Sequence, residues 1–371
     1  MRIDKALFLL YGITYICILG GVFSYSEYNF LNVNYIFEIS ILVIFITGLR
    51  ENNYNIFFIA LGLVLYLIIR FFINNFYFDV GFKDLIVANK FVLYLIILSL
   101  LNTKGFFNVK RFNIFYNILL LSFFVKYLLW HVLSGMRPGL FVENNFELMF
   151  LLLVTISYIN VFGKLSGKQY ISLFLIFFMS FSRSGIVCLL FFVFIRSLKK
   201  INIKTIFSLI LVFIVSCFAV FIFLDRIGAG GIESIDRFVF FKQFLYSVKD
   251  WGYSTYIFGE YILNPLPNTV CSTLSFYETL FSNYSQNICY SVIFHSFILR
   301  VIYDFGFSGL ILVFYYLYLL IRECINTRLN IIALGIIFLN GMSVSSINSV
   351  YCFIGLLFIL LTSNKNSGMK L

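Results

Sequence analysis

The sequence predicts an all-α, polytopic integral membrane protein with about twelve transmembrane helices and one long outward-facing loop between the ninth and tenth. Three observations carry that reading. Hydrophobic residues fill 61% of the 371 positions and charged residues 12%, with a mean hydropathy of +0.99; no water-soluble domain of that size has such a composition. Apolar runs recur at the length of about 20 residues that a helix needs to cross a bilayer. Lysine and arginine gather in alternate connections, which marks cytoplasmic loops.

In chain order the runs are 6–23, 35–49, 54–73, 85–101, 112–134, 146–162, 169–181, 184–197, 205–224, 297–321, 329–344 and 347–363. The first has no small-residue cleavage site behind it and is read as a retained helix rather than a signal peptide. The connections on one side hold Arg2 and Lys5; Arg50; Lys104, Lys110 and Arg111; Lys164 and Lys168; Arg196, Lys199, Lys200 and Lys204; Arg322 and Arg328; and Lys365 and Lys370. By the positive-inside rule these are cytoplasmic, and both termini lie with them. The 50 phenylalanines and 25 tyrosines accompany abundant Ile, Asn and Lys. They are read as compositional drift, with most rings facing lipid or neighbouring helices.

One stretch breaks the regularity. Phe181-Ser182-Arg183-Ser184-Gly185 interrupts apolar sequence running from Ile171 to Ile195. The cationic segments 164–168 and 196–204 must share a side, although one straight helix would separate them. Two half-length helices meeting at 182–185 satisfy both conditions, and Ser and Gly suit the break. Arg183 then stands near the outer face. The alternative is a single tilted helix with a snorkelling arginine.

Eleven of the 27 Lys and Arg residues fall outside the topological pattern: Arg70, Lys83, Lys90, Lys126, Arg137, Arg183, Arg226, Arg237, Lys242, Lys249 and Arg300. Several lie near the outer surface, against the charge bias, and call for a reason such as an anionic ligand. Arg70, Lys83, Lys90 and Lys126 are read instead as snorkelling or paired with neighbours such as Asp79 and Asp84.

The connection from Asp225 to Phe294 is far longer than the others. Gly228-Ala229-Gly230-Gly231 opens it as a hinge, and no Gly-Lys-Ser/Thr follows, which rules out a phosphate-cradling P-loop. Phe238, Phe241, Leu245 and Val248 recur at helical spacing against Asp236, Arg237, Lys242, Lys249 and Asp250, the pattern of an amphipathic helix lying on the outer leaflet. Pro265 and Pro267 precede an irregular polar second half. Cys271 and Cys289 are the two cysteines of this loop, where an oxidising location would permit a disulfide. The chain lacks His-Glu-x-x-His, Cys-x-x-Cys, a dinucleotide fingerprint and Gly-x-Ser-x-Gly. Neither a metal nor a cofactor is expected, and no nucleic acid. Of the two histidines, His131 beside Trp130 reads as interfacial and structural. His295 ends the long loop, where a group titrating near neutrality is a candidate general base.

These residues also carry a family resemblance. Arg137-Pro138-Gly139-Leu140-Phe141-Val142-Glu143-Asn144-Asn145 resembles the Arg-Pro-x-Gly-x-Phe-x-x-Pro-Asn element of the O-antigen ligase and polymerase superfamily, with Asn144 where the family has Pro. Ser182-Arg183-Ser184-Gly185 resembles its Ser-Arg-Gly/Ser element. His295-Ser296-Phe297-Ile298-Leu299 and Asp304-Phe305-Gly306-Phe307-Ser308-Gly309 resemble its His-Asn-x-x-Leu and acidic-x-Gly-x-x-Gly stretch, with Ser296 in place of Asn. The likeness covers about 137–309; the first five spans contribute topology alone.

The resemblance implies a polymerase that transfers a polyprenyl-pyrophosphate-linked glycan onto another lipid-linked repeat unit at the periplasmic face of the inner membrane. Its partners would be the undecaprenyl-pyrophosphate repeat unit, membrane lipids and a chain-length regulator. Four regions follow: 1–136, five N-terminal helices; 137–224, a central membrane region; 225–296, the periplasmic loop; 297–371, the C-terminal helices. Arg183 and Arg237 would meet the pyrophosphate, because arginine binds phosphate bidentately and offsets the charge that grows on the leaving group. His295 would deprotonate the attacking hydroxyl. Arg137, Glu143 and Arg300 are substrate-binding candidates, Glu143 doubling as a second candidate base and Asp304 standing one turn from Arg300 to orient it. A ligase acting on lipid A core, or a flippase for lipid-linked oligosaccharide, remains the alternative; the flippase would show internal repeats, which the two halves lack.

Overall fold

The computed structural model describes residues 3–24, 28–48, 54–78, 80–101, 107–133, 137–142, 144–198, 236–260, 263–285 and 287–363. Every regular element among them is helical. The long helices are α1 (Ile3–Val22), α2 (Val33–Gly48), α3 (Tyr54–Tyr77), α4 (Phe82–Leu100), α5 (Val109–Leu133), α6 (Asn144–Phe162), α7 (Gly167–Met179) and α8 (Arg183–Ser197). The loop segment supplies α9 (Asp236–Val248), α10 (Tyr253–Phe258) and α11 (Asn268–Thr273), and the chain closes with α12 (Phe297–Ile321), α13 (Thr327–Gly341) and α14 (Val350–Leu361). Five described stretches are long and apolar enough to cross a membrane: Asp4–Val22, Phe58–Phe76, Val109–Leu133, Asn144–Phe162 and Phe297–Ile321. The ninth run, 205–224, and the glycine hinge at 228–231 lie outside the described residues.

The centre of the bundle is α14 against α6. Both are apolar all round, as helices buried on every side must be, and every residue of α14 is buried. Their contact is close enough that a Cβ on Gly355 would lie 2.7 Å from Leu153 Cδ1. Thr362 and Ser157 hydrogen-bond across its end, which satisfies two buried hydroxyls.

The turn expected at 182–185 separates α7 from α8. Gln169 and Ser166 form a capping box at the start of α7, and the Ser182 hydroxyl caps α8 by accepting from Gly185 N–H at 3.0 Å. Between them Phe181 takes a left-handed φ of 48°. Arg196, near the end of α8, reaches Gly163 O at 3.4 Å and lies 5.9 Å from the Tyr170 ring at the start of α7. The two helices therefore form an antiparallel hairpin, with Lys164, Lys168 and Arg196 at one end and Arg183 at the other.

Side-chain bonds gather the Arg183 end with the same ends of its neighbours. Asn144 Nδ2 donates to Ser180 O at 2.8 Å, Asn340 Nδ2 to Asn145 O at 3.0 Å, and Ser296 Oγ to Gly341 O at 3.0 Å. Lys126, fully buried, donates to the carbonyls of Gly21 (2.7 Å) and Ser24 and lies 4.1 Å from the Trp130 ring centre. It does not snorkel: it caps orphan carbonyls at the end of α1, where a cation also suits the helix dipole. Lys90 pairs with Glu38, and Lys83 donates to Asn283 at 2.7 Å. Asp84 accepts from Ser282 Oγ (2.6 Å) and Asn283 N–H (3.0 Å), which fastens the loop to α4. Asp79, the other pairing candidate, lies outside the described residues.

The loop folds onto this end. Cys271 and Cys289 are joined by a disulfide. The amphipathic reading of α9 needs one correction: Phe240, Phe244 and Val248 face the protein, while Phe238, Phe241 and Leu245 are exposed. The helix has two apolar stripes, and Val248 belongs to the inner one. Beyond it, α10 crosses α12 backbone to backbone. Gly259 and Gly306 both have positive φ, 72° and 67°, and a Cβ on Gly306 would sit 2.2 Å from Ile257 O. That crossing breaks α12 at Gly306.

Candidate functional site

Three structures meet at the shared end. The first is the segment 137–142, which wraps a buried carboxylate that sequence reasoning passed over. Glu147 lies one turn into α6 and is wholly buried. Its Oε2 accepts from the N–H groups of Phe141 (2.7 Å), Leu140 (3.0 Å) and Val142 (3.2 Å), and its Oε1 from Tyr127 OH at 2.6 Å and again from Leu140 N–H at 2.8 Å. Three consecutive backbone donors aimed at one oxygen fix the loop as a nest. Gly139 is required by crowding, since a Cβ there would lie 2.3 Å from Val142 O and 2.5 Å from Tyr28.

The nest holds Arg137 at the wall of a cavity of about 630 Å³. Trp130 and Tyr28, stacked at 6.0 Å, line it with Asn29, Asn32 and Asn34. Asn29 ties this wall together by donating to Cys17 O (2.7 Å) and Leu140 O (3.0 Å). Aromatic faces beside carboxamides and a guanidinium form a surface that can meet both the apolar faces and the hydroxyls of a polar chain. Glu143, the neighbouring candidate, lies outside the described residues.

The second structure is the Ser180–Ser184 turn. Ser182 and Ser184 hydroxyls both bond Asn145 Oδ1, at 2.5 and 3.0 Å. Arg183 is the first residue of α8 and half-buried. A guanidinium at the positive end of a helix dipole makes a doubly cationic corner.

The third surrounds His295. It links the long loop to α12 in a left-handed conformation (φ 55°), uncommon for a residue with a side chain. Ser296 explains how that geometry is held: its Oγ caps α12 through Leu299 N–H and donates to Gly341 O, while Ser345 Oγ donates to His295 O at 3.0 Å. The imidazole lies 4.8 Å from the Tyr277 ring and 5.3 Å from Phe240. Its Nε2 is buried and has no hydrogen-bond partner among the described residues. Burial, and secondarily the charge of Arg237, hold the imidazole pKa below its usual value, against the opposing pull of Asp236. His295 is thus neutral at pH 7, the form that can accept a proton. Arg237 Nε donates to Ser343 O at 3.3 Å, and Tyr277 OH to Asp236 Oδ2 at 3.2 Å.

A continuous path joins the second and third structures. Asn145 binds the Ser182 turn on one side and Asn340 on the other. Asn340 O accepts from Ser343 and Val344 N–H at 2.9 Å each, and Ser343 in turn holds Arg237. Arg183, Arg237 and His295 are therefore anchored to one hydrogen-bonded frame.

Arg300 is placed elsewhere. It is 2% exposed and faces α4, donating through Nη2 to the carbonyls of Val87 (2.7 Å) and Ala88 (2.6 Å). Asp304 accepts from Ser291 at 2.8 Å, and no ion pair joins it to Arg300 among the described residues. The expectation that the two orient each other thus finds no direct contact between them among the described residues. Glu147 was missed because an acid in the first turn of a helix is an ordinary capping residue; its spacing from the Arg-Pro-Gly stretch was the available signal.

No protein-family model matches the chain, and no curated protein matches it.

Proposed function

We propose that the chain is a metal-independent glycosyltransferase of the inner membrane, an O-antigen-type polymerase that joins polyprenyl-pyrophosphate-linked repeat units at the periplasmic face. The observation that carries the reading is the neutral, unpartnered His295 Nε2 beside Arg237, on the same hydrogen-bonded frame as Arg183. In this reading twelve spans place both termini in the cytoplasm and the 225–296 loop in the periplasm.

The acceptor sugar hydroxyl loses its proton to His295 Nε2 as its oxygen attacks the donor's anomeric carbon. The bond from that carbon to the pyrophosphate oxygen breaks, and the lipid pyrophosphate leaves with the electron pair. Arg183 and Arg237 offset the negative charge that grows on it. A fixed cationic corner of this kind needs no reorganisation during the reaction. Arg137 and the Trp130–Tyr28 wall hold the glycan, which keeps the two saccharides in register.

The test is reconstitution. Purified protein given a lipid-linked repeat unit yields a ladder of products, and His295→Ala yields none. Absence of a ladder from wild-type protein with authentic substrate refutes the proposal.

A further inference from the structure

The cavity beside Arg137 carries a charge preference that its size and its aromatic rings do not explain. At about 630 Å³ it falls within the roughly 300–1,000 Å³ of small-ligand sites, enough for a short saccharide. One wall is the segment 28–34, which leads into α2; the other holds Trp130, Phe141, Val142 and Arg137.

The donors and acceptors of these walls do not balance. Asn29 is spent, because its Nδ2 donates to Cys17 O and Leu140 O while its Oδ1 accepts from Leu31 N–H at 2.9 Å. Asn32 and Asn34 are exposed, and each carboxamide offers an acceptor oxygen alongside its donors. Arg137 is exposed too, forms no ion pair among the described residues, and adds N–H donors alone. No carboxylate lines the cavity among the described residues. Glu147 shapes the loop that bears Arg137, but it is wholly buried with its oxygens turned to Tyr127 and the loop N–H groups. The first residues of α2, Val33 and Asn34, add the positive end of a helix dipole to the same space.

The wall is therefore rich in donors and positive, without an opposing charge. A sugar hydroxyl donates as well as accepts and leaves that surplus unused. An acceptor-only group uses it in full, since arginine meets carboxylate or phosphate oxygens in pairs and with charge.

We infer that this cavity selects an acidic saccharide, a sugar unit whose carboxylate or phosphate meets Arg137. A ring face lies against Tyr28, which is 38% exposed, and the carboxamides of Asn32 and Asn34 take the hydroxyls. That this saccharide belongs to the lipid-linked repeat unit rests on the proposed function; the charge preference of the cavity does not.

Two matched pairs of probes separate charge from shape. Digalacturonate and its uncharged dimethyl ester, and galactose 6-phosphate and galactose, are titrated onto the detergent-solubilised full chain by ligand-observed NMR, with inorganic phosphate alongside. The expected result is an acidic sugar bound at least about tenfold tighter than its uncharged counterpart and than inorganic phosphate, with the gap narrowing as salt is raised. The tighter of the two acids identifies the anion as carboxylate or phosphate. Arg137→Gln abolishes the preference at wild-type unfolding temperature, while the neutral sugars change little. Asn34→Asp puts a carboxylate at the start of α2, where a helix tolerates it, and weakens the acidic sugars alone. Equal affinity for charged and uncharged sugars, inorganic phosphate binding as tightly as either acid, or a preference retained by Arg137→Gln overturns the inference. A ladder formed equally from neutral and acidic repeat units, with no preference in binding, removes this inference and spares the polymerase. A charge preference without any ladder does the reverse.

Discussion

Replacing Glu147 by Gln tests whether the loop bearing Arg137 owes its shape to one buried carboxylate. The substitution keeps the size of the side chain but turns one oxygen into a donor. Tyr127 OH can reverse and accept, whereas the N–H groups of Leu140, Phe141 and Val142 cannot. With the amide nitrogen turned to Tyr127, Leu140 N–H loses its nearer acceptor at 2.8 Å and the oxygen facing the three donors loses its charge, and a hydrogen bond to a charged group contributes about 1.5–3 kcal/mol. Converted at about 1.4 kcal/mol per factor of ten, that predicts about 10- to 150-fold faster hydrogen exchange at Leu140, Phe141 and Val142. Exchange in the body of α6 stays as in the wild type. Mass spectrometry of peptides covering 137–150 reads both. Unchanged exchange at the three amides, with the rest of the helix also unchanged, refutes the claim that Glu147 organises the nest.

Three further outcomes follow from the geometry. His295 has a folded pKa below the usual value of about 6.5. Its contribution to stability is therefore complete above that pH and is lost as pH falls through the folded value. Catalytic rate follows the same limb, climbing from acid pH with a midpoint below about pH 6.5; a limb centred above pH 7 contradicts the assignment of His295 as the base. Cys271→Ser removes a cross-link spanning 18 residues and lowers loop stability by about 3 kcal/mol, read as earlier protease cleavage within 250–290 under limited proteolysis. Gly306→Ala must place a side chain at positive φ against Ile257 O. It costs well over the roughly 1–2 kcal/mol of the backbone term alone, seen as a lower unfolding temperature in detergent, and wild-type stability would contradict the crossing.

The helical runs were legible because burial in lipid or in a membrane-type core imposes length and apolarity, and both are visible residue by residue. The α7–α8 hairpin was legible from charge alone, since Lys164, Lys168 and Arg196 had to share an end. What escaped depended on the partner rather than the residue. Lys126 and Arg70 looked alike as cations in apolar helices, yet one caps α1 and the other donates to Tyr66 and lies against the Phe305 ring. The face of α9 was misjudged at Val248 because two apolar stripes at helical spacing give the same periodicity, and the sequence does not say which the protein covers. Of the site, Arg237 and Arg183 were found as charges out of place, and His295 as a group titrating near neutrality at the end of the long loop. Asn145, Asn340 and Ser343, which join them, carry no such mark, and nothing in the sequence tells that Arg300 bonds the carbonyls of α4.

Those bonds to α4 have an evolutionary consequence. Arg300 binds the carbonyls of Val87 and Ala88, and Asn348 bridges one helical pair by donating to Val87 O at 3.2 Å and accepting from Phe91 N–H at 3.0 Å. All the α4 partners are main-chain atoms. A slide of α4 by one residue, about 1.5 Å, would break them, yet any side chain at 87, 88 or 91 that fits the space leaves them intact. At 87, 88 and 91 α4 can thus change sequence while these bonds hold its register against Arg300 and Asn348, whereas Ser99, which hydrogen-bonds Tyr316 of α12, is a tie that depends on its side chain. In a set of homologues, positions 300 and 348 would be constant without co-varying partners on α4.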